Sequence, residues 1–217
     1  MARVSERIRE AASVVAVREG ENGPEVLVLE RGAASRFLPS YVVFPGGAVE
    51  RGDSVLAQRW FADPEDAVRA AAVRELVEEA GLALTSEGLV GGGETDPLER
   101  VHVAPPTAER LSELCHWIAP QDVPVRFDAR YFAVEAPVGL EPTPDGGEAA
   151  HAWWATPRSL LEEWKLGSRR LYWPTWYTMT RLAECDNARA VLRLRFETRE
   201  PDPDEVERFP RSVFWED

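Results

Sequence analysis

Residues 63–81, "DPEDAVRAAAVRELVEEAG", carry both a start and a stop for a helix, and they constrain the fold more than any other stretch. Asp63 is placed to cap the helix. Pro64 suits its first position, where a missing N–H leaves nothing unpaired, and Glu65 and Asp66 complement the positive end of its dipole. Gly81 suits the left-handed backbone that ends a helix. From Pro64 to Ala80 the predicted helix runs about 25 Å at 1.5 Å per residue. Within it Glu75, Glu78 and Glu79 stand at i, i+3 and i+4, so three carboxylates emerge on one face in a single turn. Each like-charge pair disfavours an exposed helix by only about 0.2–0.5 kcal/mol, and Arg74, at i−4 from Glu78, offsets part of that. A solvated acidic face is one physical reading. The other is a group of hard oxygen ligands for Mg²⁺ or Mn²⁺.

The segments around this helix predict strands. "SVVAV" (13–17) and "EVLVLE" (25–30) are short β-branched runs separated by a turn-rich stretch, as in a hairpin. "YVVF" (41–44) is a third strand, stopped by "PGG". "TAERLSELCHWI" (107–118) is predicted as a helix, and "ARYFAVEA" (129–136) as a strand with Tyr131 and Ala133 on one face and Phe132 and Val134 on the other. Residues 139–150 read as a loop that delivers Asp145 and Glu148 ahead of "HAWWAT". "PRSLLEEWKLG" is a short amphipathic helix, and "WPTWYTMTRLAEC" is predicted as the last helix. The tail beyond Glu197 is dense in proline and charge, so its order depends on docking. Strands alternating with helices in 217 residues suggest one mixed α/β domain.

Composition removes several function classes. A net charge of −13 disfavours a broad nucleic-acid surface, which needs clustered Lys and Arg. An acidic protein can still bind anions where metal ions or a local basic cluster reverse the field. Two cysteines, Cys115 and Cys185, give neither a disulfide framework nor a CxxC spacing, which favours a reducing compartment. The first 17 residues contain only a five-residue apolar run, so neither a signal peptide nor a membrane anchor is expected, and the default location is cytoplasmic.

"FPGG" ends a predicted strand, and two glycines allow a sharp turn and close approach to an anion. With the acidic helix, it resembles the Nudix box, GX5EX7REUXEEXGU, where U is a bulky aliphatic residue. "RELVEEAGL" (74–82) fits the second half at every specified position, and Gly47 fits the opening glycine. Asp53 stands where the pattern has Glu, and 20 residues separate it from Arg74 where the pattern has seven. The box would then span 47–82 with an excursion at about 54–66. Either the shorter acid still reaches the box, or the insertion has taken over its place.

The resemblance to the Nudix (MutT-like) hydrolases implies an α/β/α sandwich around a mixed sheet. Here it would be a single domain over residues 1–200 with C-terminal helical additions, followed by a Pro- and acid-rich tail at 201–217. It implies Mg²⁺- or Mn²⁺-dependent pyrophosphatase action on a nucleoside diphosphate linked to another group. Glu75, Glu78 and Glu79 would bind metal with the carbonyl of Gly46, and Arg74 would orient a glutamate. The general base in this family is a box glutamate or an acid from a distant loop, for which Glu148 is the candidate and Asp145 the second choice. The three histidines, His102, His116 and His151, have no ligand spacing and are expected to be structural or at the surface.

"RGAASRFLPSYVVFPGGAVERGD" and the lengthened box are similar to the coenzyme A and acyl-CoA diphosphatases of the peroxisomal type, and "WWATP" and "YWPTWYTMTRLAE" continue the similarity. For such a substrate Arg31, Arg36 and Arg126 would contact phosphate, since guanidinium suits phosphate oxygens. ADP-ribose or NADH is the rival substrate, and a non-catalytic Nudix-like nucleotide sensor is the rival from another class. Retention of all three helix glutamates argues against the sensor. None of the eight tryptophans is assigned to a site, since large aromatics more often pack in a core or interface than stack on an adenine or line an acyl pocket; no membrane or nucleic-acid partner is expected, and a homodimer is left open.

Overall fold

The computed structural model describes residues 8–35, 37–91, 93, 95–121, 126–144 and 149–209. Its strands and helices follow the chain as β1 (Ile8–Gly20), β2 (Gly23–Arg31), β3 (Tyr41–Val43), β4 (Gly46–Ala48), α1 (Asp53–Phe61), α2 (Ala67–Ala80), β5 (Ala83–Thr85) and β6 (Gly88–Val90). Then come α3 (Pro97–Val103), β7 (Ser112–Ile118), β8 (Arg126–Glu135), β9 (Ala149–Ala155), α4 (Pro157–Lys165), β10 (Arg170–Leu171), α5 (Trp173–Leu182), α6 (Ala188–Arg193) and α7 (Pro203–Val206). One mixed sheet runs β10-β3-β2-β1-β8-β7, with β4 paired to β1 and β9 to β2. The β1–β8 and β10–β3 pairs are parallel and the others antiparallel.

Period-two alternation sends the two faces of this sheet into two cores. Val14 and Ala16 of β1 and Phe132 and Val134 of β8 pack with Ala70, Val73 and Leu76 of α2. Val15, Val17, Tyr131 and Ala133 face the other way, onto Leu160 of α4, Met179 and Leu182 of α5 and Val191 of α6. The result is an α/β sandwich in a single domain, with the residue faces of β8 as its sequence predicts.

β1 and β2 pair only near their turn, through Val17–Gly20 and Gly23–Val26. Further from the turn β1 takes β4 as its partner at Ala11, Ala12 and Ser13, while β2 takes β3 at Leu29 and Glu30. The sheet therefore opens between its two longest N-terminal strands. That opening positions the site.

Three expectations need correction. The predicted helix at 107–118 is a short 3₁₀ turn, Ala108–Arg110, followed by β7. A bulge between Glu113 and Cys115 in its pairing with β8 lets Leu114 and Cys115 both be buried, which imitates helical spacing of apolar residues. The helix at 173–182 is not the last, because α6 and α7 follow it. The long helix begins as a 3₁₀ turn, Pro64–Asp66, whose cap is Asp63 accepting from the Glu65 amide at 3.0 Å, and becomes α-helical at Ala67.

Residues 54–66 are mostly helical. α1 buries Ala57 and Trp60, and the Trp60 indole donates to Nδ1 of His102 at 3.0 Å. Burial there, with the nearby Arg59 charge, lowers the pKa of His102 and favours the neutral ring that accepts this bond. As far as Phe209 the C-terminal segment docks: Phe209 is buried among Trp164, Tyr172, Trp173 and Trp176. Both cysteines are free thiols. Among the described residues no helix is long and apolar enough to cross a membrane.

α2 stops at Gly81, whose φ of +65° is the left-handed conformation, with its N–H donating to Val77 O at 2.9 Å. A Cβ there would lie 2.4 Å from the Thr143 carbonyl oxygen. Gly81→Ala is expected to cost at least about 1–2 kcal/mol from the backbone alone. Urea denaturation checks this as a lowered midpoint with an unchanged slope.

Candidate active site

α2 carries the acidic turn into the opening between β1 and β2, and Arg74 organises it. The Arg74 side chain is 10% exposed and its partner Asp53 only 1%. Nε donates to Asp53 Oδ1 at 2.9 Å and Nη2 to Asp53 Oδ2 at 3.1 Å, a bidentate pair. Nη1 donates to Glu75 Oε1 and to Glu78 Oε2, both at 2.8 Å, and Nη2 also donates to the Ala48 carbonyl at 3.1 Å. These bonds match all five guanidinium N–H donors. Burial by itself would lower the Arg74 pKa, but hydrogen bonding and charge from Asp53 and Glu75 outweigh it and raise it above the ordinary arginine range.

The question of Asp53 is thereby answered in geometry. It sits at the first position of α1, also accepts from the Glu50 amide at 2.7 Å, and reaches back across 21 residues to Arg74. Helix α1 begins at this acid.

Gly46 and Gly47 close the other side. The Gly46 amide donates to Glu79 Oε2 at 2.8 Å. A Cβ on Gly47 would stand 2.2 Å from Glu75 Oε1, so only glycine lets β4 come this close to the carboxylate. Gly46, Gly47, Arg74, Glu75, Glu78 and Glu79 all line one cavity of about 960 Å³, within the range of small-molecule sites. Its floor is the odd-numbered face of β1 and β8, where Ala11, Ser13 and Ala129 are small enough to leave room.

Three carboxylates, Asp53, Glu75 and Glu78, thus surround one guanidinium, and Glu79 stands in the same helical turn. Oxygen donors of this kind suit a hard divalent cation. Among the described residues no three His, Cys, Asp or Glu side chains converge as a ready-made ligand set. Glu75 and Glu78 turn to Arg74 and Glu79 turns to the Gly46 amide.

The other sequence candidates divide. Arg31 lines the cavity, with Nε donating to the Phe37 carbonyl at 2.8 Å and to Ser35 Oγ at 3.1 Å. Arg126 is not among the lining residues; its Nε donates to the Ala119 and Pro120 carbonyls at 3.2 and 3.0 Å. Arg36, Asp145 and Glu148 lie outside the described residues. His116 lines the cavity and pairs with Asp128, which sequence spacing gave no reason to expect. Nor did sequence assign Phe44, Tyr131, Tyr172 or Trp173 to the lining. They come from separate elements, and no local pattern joins them.

Asp53→Ala leaves a buried cation short of its bidentate partner and is expected to cost about 3–5 kcal/mol. The thermal unfolding midpoint should then fall by about 6–20 °C. Asp53→Asn, which keeps the shape and loses the charge, should fall in between; calorimetry on the three proteins checks the order.

No family model matches the chain. A solved NUDIX hydrolase from Alicyclobacillus acidocaldarius is 30% identical with a TM-score of 0.74, and the match covers 87% of this chain and 97% of that one. A Caenorhabditis elegans protein provisionally named nudix hydrolase 7 is 30% identical over 197 residues, 84% of this chain; the match spans 63% of that relative's length. The NUDIX domain of Shewanella oneidensis NrtR, solved with ADP ribose, has a TM-score of 0.51 over 83% of this chain and 88% of that one. At 12% identity that likeness concerns the fold alone.

Proposed function

Because the chain belongs to the Nudix hydrolase superfamily, we propose that it hydrolyses the diphosphate linkage of a nucleoside diphosphate derivative. The observation that carries the reading is that one turn of α2 presents Glu75, Glu78 and Glu79, with the single guanidinium of Arg74 among them, to a cavity large enough for such a ligand. In this reading Glu75, Glu78 and Glu79, with the carbonyl of Gly46, hold Mg²⁺ or Mn²⁺. When bound, the ion supplies positive charge to the phosphate oxygens and acidifies a bound water.

The chain's own residues then have separate tasks. Arg74 orients Glu75 and Glu78 through the bonds described above and does not touch substrate. Water oxygen forms a new bond to one phosphorus, the bridging P–O bond breaks, and the water's proton passes to a carboxylate. We assign that carboxylate to Glu148, which precedes β9 in the sequence. Of the three arginines expected at the phosphates, Arg31 is the candidate among the described residues that line the cavity.

Coenzyme A or acyl-CoA is the proposed substrate, on the similarity of residues 31–53 and of the lengthened box to that branch. Cleavage would give a 4′-phosphopantetheine fragment and adenosine 3′,5′-bisphosphate. A panel of coenzyme A, acetyl-CoA, ADP-ribose and NADH with Mg²⁺ or Mn²⁺, read by product mass, tests both the chemistry and the substrate. Turnover of at least one compound is expected, and no turnover with either metal sinks the enzyme reading. Glu79→Gln is expected to lower turnover by orders of magnitude with an unchanged circular dichroism spectrum. Glu148→Gln is expected to do the same, while near-full activity would hand the base to a box glutamate.

A further inference from the structure

Two large aliphatic side chains stand exposed at the edge of the cavity: Ile118, 54% exposed at the end of β7, and Val206, 46% exposed at the end of α7. A single exposed aliphatic is ordinary. These two line one cavity together with Phe37, Phe127, Tyr172 and Pro201, and the same cavity holds the carboxylates of α2.

The patch is built rather than frayed. After α6 the chain runs beside β7, with the Phe196 amide donating to Leu114 O at 3.1 Å and Thr198 Oγ1 to His116 O at 2.7 Å. The Trp173 indole then donates to Arg199 O at 2.8 Å, and the Arg199 guanidinium pairs with both Glu205 oxygens at 2.8 and 3.1 Å. Three residues past Val206, Phe209 is buried in its aromatic box. Val206 is therefore fixed between two anchors.

Its distance from the carboxylates follows from the sheet. β4, β1, β8 and β7 are successive neighbours, and Ile118 pairs with Asp128 of β8. Three inter-strand steps of about 4.8 Å put Ile118 roughly 14 Å across the sheet from Gly47 and the Glu75 carboxylate. A diphosphate held at the carboxylates would still have to extend well beyond its phosphates to reach the patch.

We propose that Ile118 and Val206 form an apolar subsite that accepts a hydrocarbon portion of the group linked to the diphosphate. The preferred substrates are then nucleoside diphosphate esters bearing an alkyl or acyl chain, rather than those with a sugar at both ends. The inference rests on the reading of this cavity as the diphosphate site. A fully buried methylene is worth about fourfold in affinity, so even a partly seated chain discriminates strongly.

The test uses the octyl and methyl esters of ADP in which a methylene replaces the bridging oxygen, so that they resist cleavage. Titration calorimetry with Mg²⁺ should show the octyl ester binding at least about tenfold tighter, the equivalent of about two buried methylenes. Val206→Ser and Ile118→Ser, both outside the core, should each lower the octyl-to-methyl affinity ratio severalfold. No binding of the octyl ester, equal affinities, or a ratio unchanged in both variants overturns the subsite. Turnover of the ordinary esters is read separately. Chain-selective binding without hydrolysis strikes the hydrolase reading and leaves the subsite, whereas hydrolysis without chain preference strikes the subsite alone.

Discussion

The Arg74 guanidinium is the interaction on which the rest of the site depends. It ties the acidic turn of α2 to two elements more than 20 residues earlier in the chain, through the Ala48 carbonyl of β4 and Asp53 at the start of α1. A buried cation is tolerable only when every donor is matched and its charge is countered. Here the same bonds that satisfy Arg74 also hold Glu75 and Glu78 in place. Stability and function meet in one side chain, because two of the carboxylates that neutralise the arginine, Glu75 and Glu78, are among those proposed to hold metal.

The cavity has a different origin. It exists because β1 and β2 part after their turn and recruit β4 and β3 as separate partners. Small residues on the floor, Ala11, Ser13 and Ala129, keep the space open, while Phe44, Tyr131 and Trp173 border it. Polar chemistry enters from α2 on one side and apolar surface from β7 and the C-terminal segment on the other. Such a division suits a ligand with one charged and one apolar part.

Much of this was legible from local pattern. The strands at 13–17, 25–30 and 41–44 follow from β-branched runs, and the facing of Tyr131 and Phe132 follows from a period of two. The segment at 107–118 misled because a bulge buries Leu114 and Cys115 together, which a regular strand does not do. Its strand character comes from pairing with β8, a partner that a local window does not contain. Asp53 lies between these cases. Its place in the pattern marked it, but only the fold reveals that a shorter acid reaches Arg74 from the end of a helix.

By itself the sequence determined the acidic turn, its capped helix, the glycine pair and the family pattern that joins them, because each depends on spacing within a few turns of chain. Only the tertiary structure decided that Arg74 is fully matched, that residues 53–61 form a helix anchored by Asp53, and that the chain up to Phe209 docks beside the cavity. Those outcomes depend on burial and on hydrogen bonds between residues from 21 to more than 80 positions apart. Local propensity carries no information about such partners. Closure of the chain brings them within reach, and desolvation then makes any unmatched group too costly to leave.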